Sequence, residues 1–199
     1  MCIRDRGEAA VTTGLIAEAL TMSPGNLYYH FRNKDQIVEE LFRAFERRID
    51  VEPGRPSSPL AAIEDLWLYL HLMLEAIRDY RFLYRNLDDL LGRNRRLREH
   101  FGRLVERKAA TVEALCADLV RAGAMRATPA QIRTLAVNVL VLASYWLNFH
   151  ALRSARPPAA GEADDAIGEG AYQVMALVAP YLVGDARRQL DRLGRQYLE

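Results

Sequence analysis

An all-α fold, with a small N-terminal head followed by a larger helical bundle, is predicted by three observations. Apolar residues recur every three or four positions along nearly the whole chain, the spacing of amphipathic helices. No segment sustains the alternation of a half-buried strand between turn signals. The run Glu52-Pro-Gly-Arg-Pro-Ser-Ser-Pro59 breaks the periodicity and separates a head, residues 7–50, from a body, residues 58–199. Half of the 199 residues are apolar, enough to bury a substantial core.

The elements follow in order. Thr12 or Thr13 caps a first short helix whose inward residues are Ile16, Ala17 and Leu20. Thr21-Met22 makes a turn from which Met22 drops into the core. Ser23 then caps a second short helix with Pro24 at its first position, and Leu27 and Phe31 lie one turn apart on its inner face. Two such helices joined by a tight turn form a helix-turn-helix over residues 12–31. Asn33 with Gln36 makes a capping box for a longer helix carrying Ile37, Leu41, Phe45 and Ile49.

In the body, Ser58 and Pro59 start a helix with the stripe Leu60, Ile63, Trp67, Leu70, Leu74 and Ile77. One stretch is expected over about Phe82–Leu91, and a long helix from about Arg96 to Ala122, stopped by Gly123. Thr128-Pro129-Ala130-Gln131 opens a helix that is apolar almost all round, which calls for burial against core or another chain. After a Pro/Ala/Gly-rich break at Arg153–Asp165 comes another apolar helix, which Pro180 bends or ends. The tail from Asp185 is amphipathic, with Leu190 and Leu193 on one side.

Composition narrows function mainly by exclusion. Net charge is +1, and the first fifty residues hold one more acidic than basic side chain, so no basic field announces nucleic acid. Two cysteines, Cys2 and Cys116, make no disulfide framework and fit a reducing, cytoplasmic setting. No run of about 18 uninterrupted apolar residues predicts a membrane span, and no secretory signal opens the chain. His71, His100 and His150 lack metal-ligand spacing. No catalytic set or phosphate loop stands out, so neither an enzyme nor a cofactor is expected. Cys116 reads as a small buried apolar residue. The basic run Arg93, Arg95, Arg96, Arg98, Arg103, Arg107 and Lys108 reads as a solvated helix face, the alternative being contacts with DNA phosphates.

The chemistry sits on the outer face of the second short helix: Gly25, Asn26, Tyr28, Tyr29 and His30. Gly25 permits close approach to a duplex. Asn26, in the first turn, offers an amide that pairs bidentately with adenine. The phenols and imidazole supply donors to phosphates and apolar faces to thymine methyls. Lys34, and Thr12 and Thr13 with the N–H groups of their helix start, reach phosphates.

Thr-Thr-x-x-Ile-Ala followed by Leu-Tyr-Tyr-His-Phe-Arg-Asn-Lys, then an apolar helix, resembles the DNA-binding domain of TetR-family repressors. Several unusual residue types at fixed spacing over more than thirty residues make the pattern specific. The resemblance implies an all-helical homodimer, two heads in successive major grooves of an operator, and a body that binds a small apolar or amphipathic effector. It places Thr12 and Thr13 at the first helix start, Gly25 to His30 on the recognition helix, and Lys34 as the phosphate-contacting lysine. Gly14 departs from the pattern, falling where many members carry a polar or basic residue, at a helix cost of about 1 kcal/mol. Family members also have an amphipathic helix before this motif. Met1-Cys-Ile-Arg-Asp-Arg6 carries no such stripe and reads as a non-native leader, with the first helix missing. The alternative function is accordingly a helical dimeric sensor or interaction protein that no longer grips DNA.

Two further expectations concern the body. Trp67, His71, Phe82, Tyr84, Tyr145 and Asn148 are candidates to line a ligand pocket, since such pockets are mostly apolar with a few polar groups. The helices near 130–150 and 166–182 are candidates for the dimer interface, because a two-headed reader needs two-fold symmetry.

Overall fold

The computed structural model describes residues 11–50, 59–85, 87–153 and 162–195. The expected leader at 1–6, any helix before Val11 and the cap at Ser58 lie outside the described residues. Among those residues the helices are α1 (Thr13–Ala19), α2 (Pro24–His30), α3 (Lys34–Ile49), α4 (Pro59–Asp79), α5 (Arg81–Arg85), α6 (Leu87–Arg93), α7 (Arg95–Arg121), α8 (Pro129–Arg153), α9 (Glu162–Val178) and α10 (Gly184–Arg195).

The capping residues act as their chemistry predicts. Thr12 Oγ1 accepts from Leu15 N (3.3 Å), Ser23 Oγ from Asn26 N (3.2 Å), and Asn33 Oδ1 from Gln36 N (3.0 Å). Gln36 reaches back to Arg32 N at 2.8 Å, which fastens the link between α2 and α3. Asn94 Oδ1 starts α7 by accepting from Leu97 N (3.0 Å), and Thr128 and Gln131 close the predicted reciprocal box at α8.

Two helix ends share one geometry but not one residue type. At the end of α7, Ala124 N bonds Leu119 O and Gly123 N bonds Val120 O, with Gly123 at φ +70°. At the end of α1, Met22 N bonds Ala17 O and Thr21 N bonds Glu18 O, with Thr21 at φ +52°. Both are left-handed caps that satisfy the last carbonyls. Glycine takes that conformation freely, whereas a β-branched threonine is strained in it. The Thr21 hydroxyl donates to Leu20 O at 2.7 Å.

In the body, α4 runs against α7, α8, α9 and α10, and its buried residues Ile63, Leu66, Leu70, Met73, Leu74 and Ile77 form the centre of the core. The expected single stretch at Phe82–Leu91 is instead two short helices, α5 and α6. Asp88 and Asp89 fall in the first turn of α6, where the helix dipole favours them. Pro180 ends α9, and the chain continues as one 3-10 turn, Ala179–Tyr181. The turns after α7 and α9 are clasped together by Arg126 N to Tyr181 O (2.8 Å) and Val183 N to Ala124 O (3.0 Å).

Trp146 locks α8 to α9. Its indole is buried, donates to Ala166 O at 2.6 Å, and lies so close over Gly170 that a Cβ there would sit 2.5 Å from Trp146 Cδ1. Only a residue without a side chain fits.

The helix α3 joins the N-terminal helices to the body. Phe42 and Phe45 are buried, Phe42 against Phe101 (centroids 6.0 Å apart) and Phe45 against Tyr80 (5.5 Å) and Tyr84 (5.9 Å). Around this aromatic contact runs a charged rim: Arg48–Glu75 (3.3 Å), Arg107–Glu46 (3.2 Å), Lys108–Asp50 (3.1 Å) and Asn94 Nδ2 to Glu39 (3.0 Å). Lys108 is only 4% exposed and its ammonium also lies over the Tyr69 ring. Much of the basic run is therefore committed within the chain. Arg107 and Lys108 hold α3, Arg93 and Arg95 pair along their own helices, and Arg98 donates to the carbonyls of Leu91 and Gly92.

Candidate nucleic-acid interface and ligand cavity

The first three helices present α2 outward. Leu27 alone on that helix is buried, and Val11, Ile16, Ala17, Ile37 and Val38 share its core, with Met22 and Phe31 packed against it. One anchored face leaves the other free, so Gly25, Asn26, Tyr28, Tyr29 and His30 are all exposed. Tyr29 is 85% exposed and meets the His30 ring edge-on at 5.2 Å. A Cβ on Gly25 would touch nothing within 4 Å, so the glycine is not required by the protein's own packing.

The threonines divide the labour that the sequence left open between them. Thr12 is the helix cap, while Thr13 Oγ1 hydrogen-bonds the Tyr28 hydroxyl at 2.9 Å, tying the start of α1 to α2. Lys34 Nζ donates to Val11 O at 3.1 Å and is half-buried, so it also braces the start of α1 from below. The sequence pattern showed neither link, because both bridge residues far apart in the chain. The face of α2 carries no carboxylate and no ammonium or guanidinium group, so amide, phenol and imidazole groups compose it.

A second feature lies in the body. An open cavity of about 700 Å³ separates α5 and α6 from α8. Of the six pocket candidates, Tyr84, Tyr145 and Asn148 line it, and Asn148 Nδ2 donates to the Tyr84 carbonyl at 3.1 Å across one edge. Phe82 does not, since it is fully buried in the core. Nor do Trp67 and His71, which stack on each other on α4 with ring centroids 5.0 Å apart. The remaining wall is Arg85, Leu87, Asp88 and Asp89 on one side and Ser144, Ala151 and Leu152 on the other. Sequence pattern did not mark Arg85, Leu87, Asp88 and Asp89, because short helices carry too few turns to show a periodic face, nor Ser144, Ala151 and Leu152, because α8 is apolar almost all round and shows no single face. Burial pushes the Tyr84 phenol above the ordinary tyrosine range, so it stays neutral and able to donate. Cys116 is buried, with its thiol pushed up to about 11 by burial and secondarily by Glu113.

The outer face of α8 is apolar. Ile132, Leu135, Ala136, Val139, Ala143 and Trp146 point into the body, while Val137, Val141, Tyr145, Phe149 and Leu152 form an exposed row. By length and composition α8 is the one described helix able to cross a bilayer, yet its other side is packed on α7 and α9. On α9 the apolar residues Ile167, Ala171, Val174, Met175 and Val178 are buried within the chain, and Glu169, Gln173 and Ala176 face outward.

A capped helix pair with an outward second helix, carried on a helical body that has a cavity of its own, defines a helix-turn-helix protein. Residues 38–190 match the family model TetR, described as bacterial transcriptional repressor, and residues 1–41 match that of bacterial regulatory proteins of the tetR family. The chain resembles a TetR-family transcriptional regulator from Marinobacter aquaeolei VT8, with 32% identity, a TM-score of 0.84, and coverage of 98% of this chain and 92% of that one. It also shares its fold with the TetR-family regulator PfmR from Thermus thermophilus, at 20% identity and TM-score 0.59, over 89% and 92% of the two chains. A 41-residue segment is 46% identical to the HTH-type transcriptional repressor KstR2 of Mycolicibacterium smegmatis, covering 21% of this chain and 20% of that repressor. The chain belongs to the TetR family of bacterial transcriptional regulators.

Proposed function

We propose that the protein is a cytoplasmic transcriptional repressor that occupies a double-stranded DNA operator as a homodimer and leaves it when a small apolar or amphipathic molecule enters the cavity beside Tyr84. In this reading residues 7–50 are the DNA-binding domain and 58–199 the ligand-binding and dimerisation domain. The observation that carries it is the face of α2: Asn26, Tyr28, Tyr29 and His30, four solvent-facing side chains with hydrogen-bonding or stacking groups, backed by Leu27 and bridged to α1 through Tyr28. In this reading Asn26 reads a base edge, and Tyr29 and His30 contact phosphate or thymine methyls. Thr12, Thr13 and Gly25 flank them where the backbone approaches the duplex. Lys34 adds positive charge at the start of α3.

The row Val137, Val141, Tyr145, Phe149 and Leu152, of which Tyr145 and Leu152 also edge the cavity, supports the dimer, because an apolar helix face this long is stabilised by covering it. The outward residues of α9 are small or polar, so α8 supplies the apolar part of that interface and α9 its margin. Two-fold pairing then gives two copies of α2 for two half-sites.

Fluorescence anisotropy with the DNA upstream of the gene tests the reading. Binding should weaken with salt, with a slope near −0.9 per phosphate contacted in a log–log plot. Failure of the full-length dimer to bind that DNA at low salt would favour the other function, a helical sensor that does not grip DNA.

A further inference from the structure

We infer that Tyr84 is the residue through which occupancy of the cavity reaches the DNA-reading helices. The inference rests on the cavity being the effector site. Tyr84 belongs to two structures at once. It lines the cavity between α5–α6 and α8, and its ring packs edge-to-face on Phe45 of α3, with centroids 5.9 Å apart and planes at 83°. On its third side it meets Phe101 of α7, again at 5.9 Å.

The surroundings leave Tyr84 few ways to move. Phe82 and Leu83, its neighbours on α5, are fully buried in the body and anchor that short helix. Asn148, which also lines the cavity, holds the Tyr84 carbonyl at 3.1 Å. A molecule in the cavity therefore presses on Tyr84 directly and on its backbone through Asn148. Because Phe45 is completely buried, a displaced Tyr84 ring has no free space on that side and must displace α3.

The charged fastenings near the C-terminal end of α3 resist this weakly. The Arg48–Glu75 and Arg107–Glu46 pairs are partly solvated, and such pairs contribute little to holding a geometry. The Lys108–Asp50 pair is stiffer, with a buried ammonium, but it grips only the C-terminal end of α3. Asn94 holds Glu39 nearer the other end, and between them Phe42 and Phe45 meet Phe101, Tyr80 and Tyr84, of which Tyr84 is the one that lines the cavity. Tyr84 acts as a positioning residue, by the shape of its ring.

The experiment needs no identified effector, because the cavity can be filled from within. Ser144→Trp fills it from α8 and Leu87→Trp from α6. Each is measured alone and combined with Tyr84→Leu, which removes the ring, and Tyr84→Phe, which keeps it. Hydrogen exchange of the α3 amides, Lys34–Ile49, reports the joint, and anisotropy with the upstream DNA reports function. Filling should speed α3 exchange and weaken operator binding about 5- to 100-fold, the usual range of coupling between sites. With Tyr84→Leu the effect of filling should shrink to less than twofold, and with Tyr84→Phe it should return. A full effect that persists with Tyr84→Leu overturns the relay and leaves the effector cavity standing. No effect from either tryptophan in any background, the variants being folded by circular dichroism, overturns both. Absence of DNA binding by the wild type defeats the repressor reading, while the exchange series still decides whether Tyr84 couples the cavity to α3.

Discussion

Substituting alanine at two glycines within helices should give opposite results, and the structure supplies the size of the difference. Gly102 lies in α7, and a Cβ there would meet nothing within 4 Å. Gly102→Ala should stabilise the protein by about 0.5–1 kcal/mol, the helical cost of glycine. Gly170 has the same propensity to gain, but its Cβ would lie 2.5 Å from Trp146 Cδ1 and 2.7 Å from Nε1. The indole cannot swing aside cheaply, since it is buried and donates to Ala166 O. Overpacking costs about 1–3 kcal/mol, and moving the ring off its acceptor about 1–3 kcal/mol. Whichever route is cheaper, Gly170→Ala should end up to about 2.5 kcal/mol less stable than wild type after the propensity gain, and below Gly102→Ala by the full cost of about 1–3 kcal/mol. Thermal melts at equal protein concentration should show Gly102→Ala about 2–3 °C above wild type and Gly170→Ala several degrees below. In a Trp146→Leu background the Gly170→Ala penalty should vanish, a coupling that a double-mutant cycle reads directly. If Gly170→Ala melts with Gly102→Ala, the Trp146 lock does not hold α8 against α9 as described.

Other outcomes follow from the same geometry. Thr21→Gly should stabilise the helix-turn-helix by about 1 kcal/mol, because glycine adopts φ +52° without strain, and urea unfolding should show the gain. Tyr29→Ala should weaken operator binding about tenfold, or about 1.4 kcal/mol, with an unchanged melting temperature, since that side chain packs on little besides His30. Val141→Asp, at a position 64% exposed, should convert dimer to monomer in sedimentation velocity without loss of helicity. Alkaline stability should follow Cys116 first. Its thiol is raised by burial from 9.0 to about 11, so its contribution is complete below pH 9 and is lost as pH rises toward 11, up to about 3 kcal/mol. Tyr69, raised by burial from 10.0 to about 12, adds a second loss above pH 10. Cys116→Val should flatten the decline between pH 9 and 10, and an unchanged slope would refute that assignment.

The sequence by itself determined what depends on near neighbours. Helix starts at Thr12, Ser23, Asn33 and Thr128 were readable because a cap and its N–H partner are three residues apart. The exposed row of α2 was readable because Leu27 and Phe31 specify the inner face and the helical period assigns the rest. Class of fold and family came from these local patterns. Tertiary structure decided whatever joins distant residues. It put Thr13 on Tyr28 and Lys34 on Val11, turned part of the basic run into the grip of α7 on α3, and split the expected helix at 82–91. It also sorted the aromatic residues, sending Phe82 to the core and Tyr84 to a cavity wall, although both sit on the same short helix. Periodicity could not make that distinction. It reports which residues leave water, and a core, a cavity wall and a subunit interface all exclude water alike; only the positions of the other helices say which of the three a given face meets.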